Sequence, residues 1–162
     1  MGKSYLLLGG NIGNRAMYLE SARKQISRFI GDIENVSSIY ETEPWGFSHE
    51  TPFLNQVVIS LTRLEPGEIM RRIRDIEKSF GRVREKDHYS ARTIDIDILF
   101  YDDMIIKKED LVIPHPRLHE RRFVLAPLTE VEPDLVHPVF KKSISVLYAE
   151  CDDKLKVRKF EE

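Results

Sequence analysis

The sequence predicts an α+β fold in which helices pack against one face of a mainly antiparallel sheet. Three observations support this prediction. Residues 92–100 alternate strictly between polar and apolar side chains, which is typical of a half-buried strand. Two other segments repeat apolar residues at helical spacing, and glycine or proline separates these segments from their neighbours.

In the first half of the chain, a helix follows the first strand. Residues 5–8 are apolar and end in a glycine-containing turn at 9–13. The helix begins near Asn14 and ends at Gly31, and its apolar stripe consists of Leu19, Ala22, Ile26 and Phe29. Two further strands are predicted, at residues 36–40 and 55–61. The irregular connection at 41–54 is long for a small domain, and such loops are usually functional or mobile.

A second helix and a fourth strand follow. The helix begins near Pro66, which suits the first helical position, and ends at Gly81. Its apolar stripe consists of Ile69, Ile73, Ile76 and Phe80. A charged loop at residues 82–91 then leads to the alternating strand. The order strand, helix, strand, strand, helix, strand is that of a ferredoxin-like α/β sandwich.

Smaller elements are predicted in the remaining third of the chain. They are a small hairpin around Asp102 and Asp103, a proline-rich turn at 113–116, a short helix at 121–131, and an edge strand near Leu155, Val157 and Phe160. No repeat, low-complexity tract or linker divides the sequence. We therefore interpret residues 1–162 as a single catalytic domain.

The composition is that of a soluble globular protein, with 162 residues of which 41% are hydrophobic and 32% charged. A formal net charge of −2 argues against a bulk nucleic-acid binder. No apolar run approaches the ~20 residues that cross a bilayer. The single cysteine, Cys151, fits a reducing compartment. We therefore expect a cytoplasmic monomer that binds neither nucleic acid nor membrane.

Asp95 and Asp97 are the strongest candidates for a functional site. The alternation predicts that Ile94, Ile96, Ile98 and Phe100 face one side of the strand and the two aspartates the other. Their Cα atoms then lie roughly 6.5–7 Å apart, and like charges this close favour a bound cation. Exposed sheet faces also carry acids, but Asp is depleted in strands. The pair therefore predicts a Mg²⁺ site with room for two ions.

Arginines surround the acidic pair in sequence; they are Arg82, Arg84, Arg92, Arg117, Arg121 and Arg122. A surface arginine usually does no more than solvate a face, but guanidinium groups also match phosphate oxygens. Arg82 and Arg84 lie on a loop that can close over a ligand, and Arg92 precedes Asp95 by three residues. Together with the acids, the arginines indicate a nucleoside triphosphate site.

Three further positions suit a flat ligand and its phosphates. His115 lies between two prolines, so its turn is stiff and the ring is well placed to donate a hydrogen bond. Phe53 and Phe123 are core candidates taken singly, but together in a pocket they would enclose a flat heterocycle. Asn55 would then supply a donor and an acceptor to the edge of that heterocycle.

Two other functions remain open at this point. The same order of elements occurs in small RNA-binding domains, although acids on an exposed strand and a negative net charge argue against one. A metal-dependent nucleotide cyclase or nucleotidyl transferase also uses paired strand carboxylates.

The motifs resemble those of one family, 6-hydroxymethyl-7,8-dihydropterin pyrophosphokinase (HPPK) of folate biosynthesis. The resemblance rests on LGGNIG at 8–13, SSIYETEP at 37–44, FLN at 53–55, GRVR at 81–84, RTIDIDIL at 92–99, IPHP at 113–116 and RRFVLAPL at 121–128. The motif at 92–99 is highly specific for this family. The matching motifs cover most of the chain, which makes chance agreement improbable.

The resemblance implies a diphosphotransferase that moves pyrophosphate from ATP to the hydroxymethyl group of the pterin and releases AMP. It assigns two Mg²⁺ ions to Asp95 and Asp97 and a catalytic role to Arg82 and Arg92. The implied ATP contacts are Glu77, Arg84, Arg92, Ile98, His115 and Arg121. The implied pterin contacts are Thr42, Pro44, Trp45, Phe53, Asn55 and Phe123.

Some positions depart from the family pattern. Asp110 and Val112 stand where some members have Arg and Thr, and Pro116 replaces a frequent Tyr. In the charged loop, His88 and Tyr89 stand where some members have Arg and Trp. These differences concern the adenine and outer-phosphate contacts. We further expect ATP and Mg²⁺ to order the loop at 82–92 before the pterin completes the site.

Overall fold

Strands from both halves of the chain form one sheet in the computed structural model, which describes residues 1–42, 51–81 and 93–161. The elements of the first half are β1 (Gly2–Gly10), α1 (Arg15–Phe29), β2 (Asp32–Val36), β3 (Tyr40–Thr42), β4 (Phe53–Thr62) and α2 (Pro66–Ser79). Those of the second half are β5 (Asp95–Tyr101), β6 (Ile106–Lys108), β7 (Leu111–Ile113), a 3₁₀ turn (Leu118–Glu120), α3 (Arg122–Val131), α4 (Ile144–Glu150) and β8 (Val157–Lys159).

The strand order of the main sheet is β5-β1-β4-β3-β8, and β2 pairs with β4 next to β3. Every pairing is antiparallel. β1 and β4, which precede α1 and α2, therefore lie at the centre of the sheet. β5, which corresponds to the fourth predicted strand, lies at one edge. This arrangement confirms the predicted α+β class, and β8 confirms the predicted edge strand near the C-terminus.

Helices cover both faces of the sheet, so the predicted one-sided layering was wrong. On the first face, α1 and α2 bury Leu19, Ala22, Ile26, Ile69, Ile73 and Ile76 against even-numbered residues of β1 and β4. On the second face, α3 and α4 bury Val124, Leu125, Leu128, Ile144 and Leu147 against Tyr5, Leu7, Val57 and Ile59. Both faces of β1 are apolar, which is the pattern of a strand covered on two sides.

A bulge interrupts β5 and corrects the prediction for Phe100. Ile98 pairs with Leu6 and Phe100 pairs with Tyr5, so Leu99 is an extra residue in the ladder. An extra residue reverses the alternation beyond it. Phe100 therefore packs in the second apolar cluster, whereas Ile94, Ile96 and Ile98 pack in the first. The prediction holds for the isoleucines and fails for Phe100.

The predicted strand at 36–40 is split into β2 and β3. Ser37 interrupts the ladder: its N–H donates to the Val57 carbonyl at 2.9 Å, and its Oγ accepts from the Val57 N–H at 2.9 Å. Three residues lie between Val36 and Tyr40, whereas their partners Val58 and Asn55 are separated by two. The hydroxyl thus takes part in the pairing at a bulge.

Three smaller predictions needed correction. Asp102 and Asp103 form a turn after β5, whereas the small hairpin is β6–β7, with Glu109 and Asp110 between its strands. Phe29 is 39% exposed instead of lying in the apolar stripe of α1. Helix α4 was missed, because a seven-residue helix presents too few apolar repeats to recognise. None of the described helices is long and apolar enough to cross a bilayer.

Candidate active site

The acidic pair and Asn55 lie on one face of the sheet. Gly9 in β1 pairs with Asn55 of β4 on one side and with Asp95 of β5 on the other, and Leu7 pairs with Asp97. Directly paired residues project from the same face. Asp95 and Asp97 therefore project from the same face as Leu7 and Asn55, which is the face covered by α3 and α4. They lie near the C-terminal end of β1, where the apolar residues of that face end. Both aspartates are half-buried.

The absence of a side chain at Gly9 makes space for the amide of Asn55. A Cβ atom at Gly9 would lie 2.4 Å from Asn55 Nδ2, which is far closer than atoms can approach. The amide instead crosses over β1 and donates to the carbonyl of Leu8 at 3.4 Å. From sequence, this glycine suggested only a tight turn. In the structure, Gly9, which pairs with Asp95, also leaves room for the side-chain amide of Asn55.

Glu77 lies beneath the acidic strand, on the opposite face. Its side chain is 2% exposed, and Oε2 accepts a hydrogen bond of 2.9 Å from the N–H of Ile96. Ile96 is the residue between the two aspartates. Because the described strands include only β1 as a neighbour of β5, the helix carboxylate satisfies part of the outer backbone edge. Glu77 thus fixes the backbone that presents Asp95 and Asp97.

His115 approaches the acids from the turn after β7. The backbone N–H of His115 donates to the Leu99 carbonyl at 3.0 Å, and the ring Nδ1 accepts from the backbone N–H of Arg117 at 3.2 Å. The proton of the neutral ring therefore lies on Nε2. Burial lowers the pKa of His115 to about 4; the positive charge of Arg121 acts in the same direction, and the negative charge of Asp95 opposes it. The His115 ring is therefore neutral and can donate a hydrogen bond from Nε2 close to Arg121 and Asp95.

A cavity of about 270 Å³ lies next to the acidic strand. Its lining includes three residues that the resemblance assigned to ATP or metal: Asp97, Ile98 and His115. Asp110, Val112 and Pro116, which depart from the family pattern, also line it. Two carboxylates of the β6–β7 hairpin, those of Glu109 and Asp110, give this wall acidic character.

The candidate pterin residues lie across β3, β4 and the start of α3. Thr42 pairs with Phe53, so both project to the same face as Asn55 two residues further along β4. Thr42 is buried, and its Oγ1 has no hydrogen-bond partner among the described residues. The guanidinium of Arg121 lies 5.6 Å from the centre of the Phe123 ring. The structure thus sets one aromatic ring on β4 and another at the start of α3.

Five predicted site residues lie outside the described residues: Pro44, Trp45, Arg82, Arg84 and Arg92. The variable positions His88 and Tyr89 lie outside them as well. Sequence reasoning also missed a residue that links the site to the start of β4. Asn11 is buried and donates to the Thr51 carbonyl at 3.3 Å. Its position after two glycines is the sequence signal for such a close backbone contact.

The donor set of the acidic strand fits Mg²⁺. The described residues contain no group of three or more His, Cys, Asp or Glu side chains that could hold a metal alone. Asp95 and Asp97 nevertheless offer hard carboxylate oxygens from one face of a strand. Mg²⁺ commonly takes one or two protein carboxylates and completes its shell with water and substrate phosphate. A pair of strand carboxylates, of which that of Asp97 lines a cavity, suits that mode of binding.

Comparisons with known proteins identify the family. Residues 5–133 match the family model of 7,8-dihydro-6-hydroxymethylpterin-pyrophosphokinase (HPPK). The chain is 40% identical over 144 residues to the 2-amino-4-hydroxy-6-hydroxymethyldihydropteridine pyrophosphokinase of Aquifex aeolicus, with 89% of each chain covered. It is 43% identical over 129 residues to the Bacillus subtilis enzyme of the same name, covering 79% of this chain and 77% of that one.

A solved structure shows the same fold in a longer protein. Wild-type HPPK-DHPS from Plasmodium falciparum superposes with a TM-score of 0.77 at 19% identity. The match covers 92% of this chain and 44% of that one. At this identity the likeness concerns the fold alone. The family match and the sequence relatives show that this chain belongs to the 7,8-dihydro-6-hydroxymethylpterin-pyrophosphokinase family.

Proposed function

We propose that the sheet face with Asp95, Asp97 and Asn55 transfers pyrophosphate from ATP to 6-hydroxymethyl-7,8-dihydropterin and releases AMP. Family membership gives the reaction, a pyrophosphokinase step of folate biosynthesis that uses ATP. The assignment to this face rests on one observation. Gly9 pairs with Asn55 on one side and Asp95 on the other, so an amide suited to the edge of a heterocycle and a carboxylate suited to a metal ion lie on either side of one residue.

ATP is proposed to bind beside β5, with its phosphates directed to the acidic strand. The 270 Å³ cavity lined by Ile98 and His115 supports this placement. Neutral His115 would donate from Nε2, and Arg121 would contribute charge to the triphosphate. Arg84 and Arg92 are proposed as further ATP contacts from the sequence motifs. Glu77 is better explained as a support of the strand, because its carboxylate accepts from the Ile96 N–H.

The pterin is proposed to lie between the rings of Phe53 and Phe123. Flat heterocycles stack favourably on aromatic faces. Phe53 lies on β4 two residues before Asn55, and Phe123 lies at the start of α3, which packs on the same face of the sheet. The amide of Asn55 would bond the pyrimidine edge, since it supplies both a donor and an acceptor. Thr42, with Pro44 and Trp45 after it, would close the same edge. Thr42 supports this role because its buried hydroxyl has no partner in the described part of the chain.

Two Mg²⁺ ions are proposed on Asp95 and Asp97; when bound, they would neutralise charge on the phosphate oxygens. The pterin hydroxyl oxygen attacks the β-phosphorus, and the bond from that phosphorus to the α–β bridging oxygen breaks. AMP leaves with this oxygen, and the hydroxyl proton passes to solvent. Transfer of this kind relies on alignment and charge stabilisation. Phe53, Phe123 and Asn55 align the acceptor, while Arg82 and Arg92 stabilise the departing charge.

A coupled assay of AMP release tests the proposal. Purified protein is mixed with ATP, Mg²⁺ and 6-hydroxymethyl-7,8-dihydropterin, and control reactions omit one component at a time. We expect AMP only when all three are present, together with stoichiometric pterin pyrophosphate by mass spectrometry. AMP without pterin, or ADP in place of AMP, would contradict it. The single domain, the monomeric state and the cytoplasmic location expected from the sequence stay predictions.

A further inference from the structure

Helix α3 starts without a capping side chain of its own. Arg121 occupies the position before the helix and makes no side-chain capping bond. The first N–H groups of a helix have no partner within it, and Ser, Thr, Asp or Asn at the cap often accepts from one of them. The residues on either side of Arg122, namely Arg121 and Phe123, are both candidate site residues. The device that fixes this helix start therefore bears on the site.

Asp153, from the C-terminal segment, provides the missing cap. Its Oδ2 accepts from the Arg122 N–H at 2.9 Å, across 31 residues of chain. Its Oδ1 accepts from the Leu155 N–H at 3.0 Å, so both carboxylate oxygens are held. The residue is 8% exposed. A carboxylate at this position also interacts favourably with the positive end of the helix dipole.

Arg122 strengthens the same connection with its side chain. Its Nε donates to the Asp153 carbonyl at 3.3 Å, and its guanidinium lies 5.4 Å from the centre of the Tyr148 ring. The backbone and side chain of Arg122 are thus both engaged with the C-terminal part of the chain. Arg121, the other member of the arginine pair, instead lies over the Phe123 ring. Arg122 thus fastens the start of α3 to the C-terminal segment, whereas Arg121 contacts a candidate site residue.

The C-terminal segment also holds the opposite wall of the site. In β8, Val157 pairs with Thr42, and Arg158 forms an ion pair of 2.9 Å with Glu41. The Phe160 N–H donates to the Ile39 carbonyl at 2.8 Å. One short segment is therefore bonded both to the start of α3 and to β3. It lies beyond residue 133, where the family match ends.

We propose that Asp153 is a positioning residue for the pyrophosphokinase reaction, acting through the Arg122 N–H on Phe123 and Arg121. Without the cap, the first turn of α3 loses its fixed start, and the Phe123 ring moves relative to Phe53 and Asn55. Small misplacements of groups that align a substrate cost large factors in rate. The inference rests on the proposed function, because it concerns the pterin wall of that site.

The test compares Asp153→Ala and Asp153→Asn with Asp152→Ala, an exposed neighbour in the same segment. Binding of 6-hydroxymethyl-7,8-dihydropterin is measured by calorimetry with a nonhydrolysable ATP analogue and Mg²⁺, at a temperature where circular dichroism shows each variant folded. We expect the pterin Kd to rise about tenfold in Asp153→Ala. Asp153→Asn should lie between this variant and wild type, because its single acceptor still serves Arg122. Asp152→Ala should match wild type.

The Mg²⁺ dependence of activity distinguishes a local effect of Asp153 on the pterin-binding residues from a loss of order throughout the site. The Mg²⁺ concentration for half-maximal activity should stay unchanged in Asp153→Ala, since Asp95 and Asp97 lie on β5, whereas Asp153 acts on the start of α3. An unchanged pterin Kd with a lower Tm would overturn the inference and leave Asp153 a purely structural cap. If Asp153→Ala does not fold, Asp153→Asn decides: a wild-type pterin Kd would overturn the inference. Failure of the wild type to bind pterin would instead refute the proposed function.

Discussion

The carboxylate of Glu77 accepts a 2.9 Å hydrogen bond from the N–H of Ile96, the residue between Asp95 and Asp97. The acids thus project from one face of β5 while a buried helix residue holds the backbone between them from the other. A pair of carboxylates can bind a cation only if their spacing is kept despite mutual repulsion. The support from α2 explains how an edge strand keeps that spacing.

Removing this support should affect both stability and metal dependence. Glu77→Ala leaves the Ile96 N–H without its acceptor, which we expect to cost about 1–3 kcal/mol in the free energy of unfolding. We also expect a higher Mg²⁺ requirement for AMP release. Glu77→Gln keeps an acceptor oxygen and should retain most of both properties. Asp75→Asn, at an exposed position of the same helix, is the control. Wild-type Mg²⁺ dependence in Glu77→Ala would show that the contact does not set the acids.

Replacing either acid should impair turnover far more than folding. Asp95 and Asp97 are half-buried and do not belong to either apolar cluster. We expect Asp97→Ala to lower kcat by about 10²-fold or more, because a lost ligand removes several kcal/mol of charge stabilisation. Its midpoint of urea unfolding should change little. Kinetics and urea titration of the same preparation check this, and an active Asp97→Ala protein would remove the metal assignment.

Substitution of Gly9 should weaken pterin binding selectively. The added Cβ of Gly9→Ala would meet Asn55 Nδ2 at 2.4 Å, and the nearest backbone atom, the Leu54 carbonyl oxygen, lies at 3.4 Å. The amide can therefore swing away at small cost in stability, but it then no longer faces the proposed pterin edge. We expect the pterin KM to rise about tenfold or more, as for a lost hydrogen bond in a recognition site.

Gly67→Ala is the matched control for this variant. Apart from its chain neighbours and the backbone of its own helix, no heavy atom of the described residues lies within 4 Å of a Cβ at Gly67, and the residue is helical. We expect unchanged kinetics and a gain in stability of up to about 1 kcal/mol, because alanine favours helix more than glycine does. Kinetic constants for both substrates decide the matter. Equal pterin KM values in Gly9→Ala and Gly67→Ala would contradict the role given to Asn55.

Acid should destabilise the fold through His137. This residue is 3% exposed, and its Nδ1 accepts from the N–H groups of Val139 and Phe140 at 3.1 Å each. Burial lowers the pKa of His137 to about 4, with a smaller contribution from His119. An unfolded histidine has a pKa near ~6.5, so the unfolded state binds more protons between these values. Stability therefore falls as pH decreases from about 6.5 towards 4.

The size of this effect is open to direct measurement. Relative to pH 7.5, we expect His137 to contribute a loss of about 2 kcal/mol at pH 5. His115 shifts in the same direction, so the wild type alone does not isolate one residue. His137→Asn retains an acceptor for the turn and does not titrate. Urea unfolding should show a shallower pH dependence for this variant, and identical slopes would rule out His137 as a source.

The main elements of the site follow from sequence because their periodicity is local. The alternation at Ile94, Asp95, Ile96 and Asp97 fixes the faces of that strand without knowledge of its neighbours. The alternation could not reveal the bulge at Leu99, because a bulge is defined by the partner strand. The second helical layer was missed because the layering was inferred from the order of the elements. The apolar residues on both faces of β1, which are typical of a strand covered on two sides, were not used.

The contacts that support the site were harder to foresee than the site itself. Glu77 and Asp153 each act on a backbone N–H far away in sequence, at Ile96 and Arg122. Neither residue stands in a pattern that predicts its partner. Such contacts depend on how layers stack, and stacking results from the sum of apolar packing over the whole chain.

The close fit between Gly9 and Asn55 has a consequence for redesign of the enzyme. The two positions are coupled: a larger residue at 9 displaces the amide at 55 from its place over β1, and a shorter residue at 55 leaves unused space above β1. Attempts to alter which heterocycle is accepted should therefore vary both codons together, since libraries that randomise only one of them would sample mostly incompatible combinations.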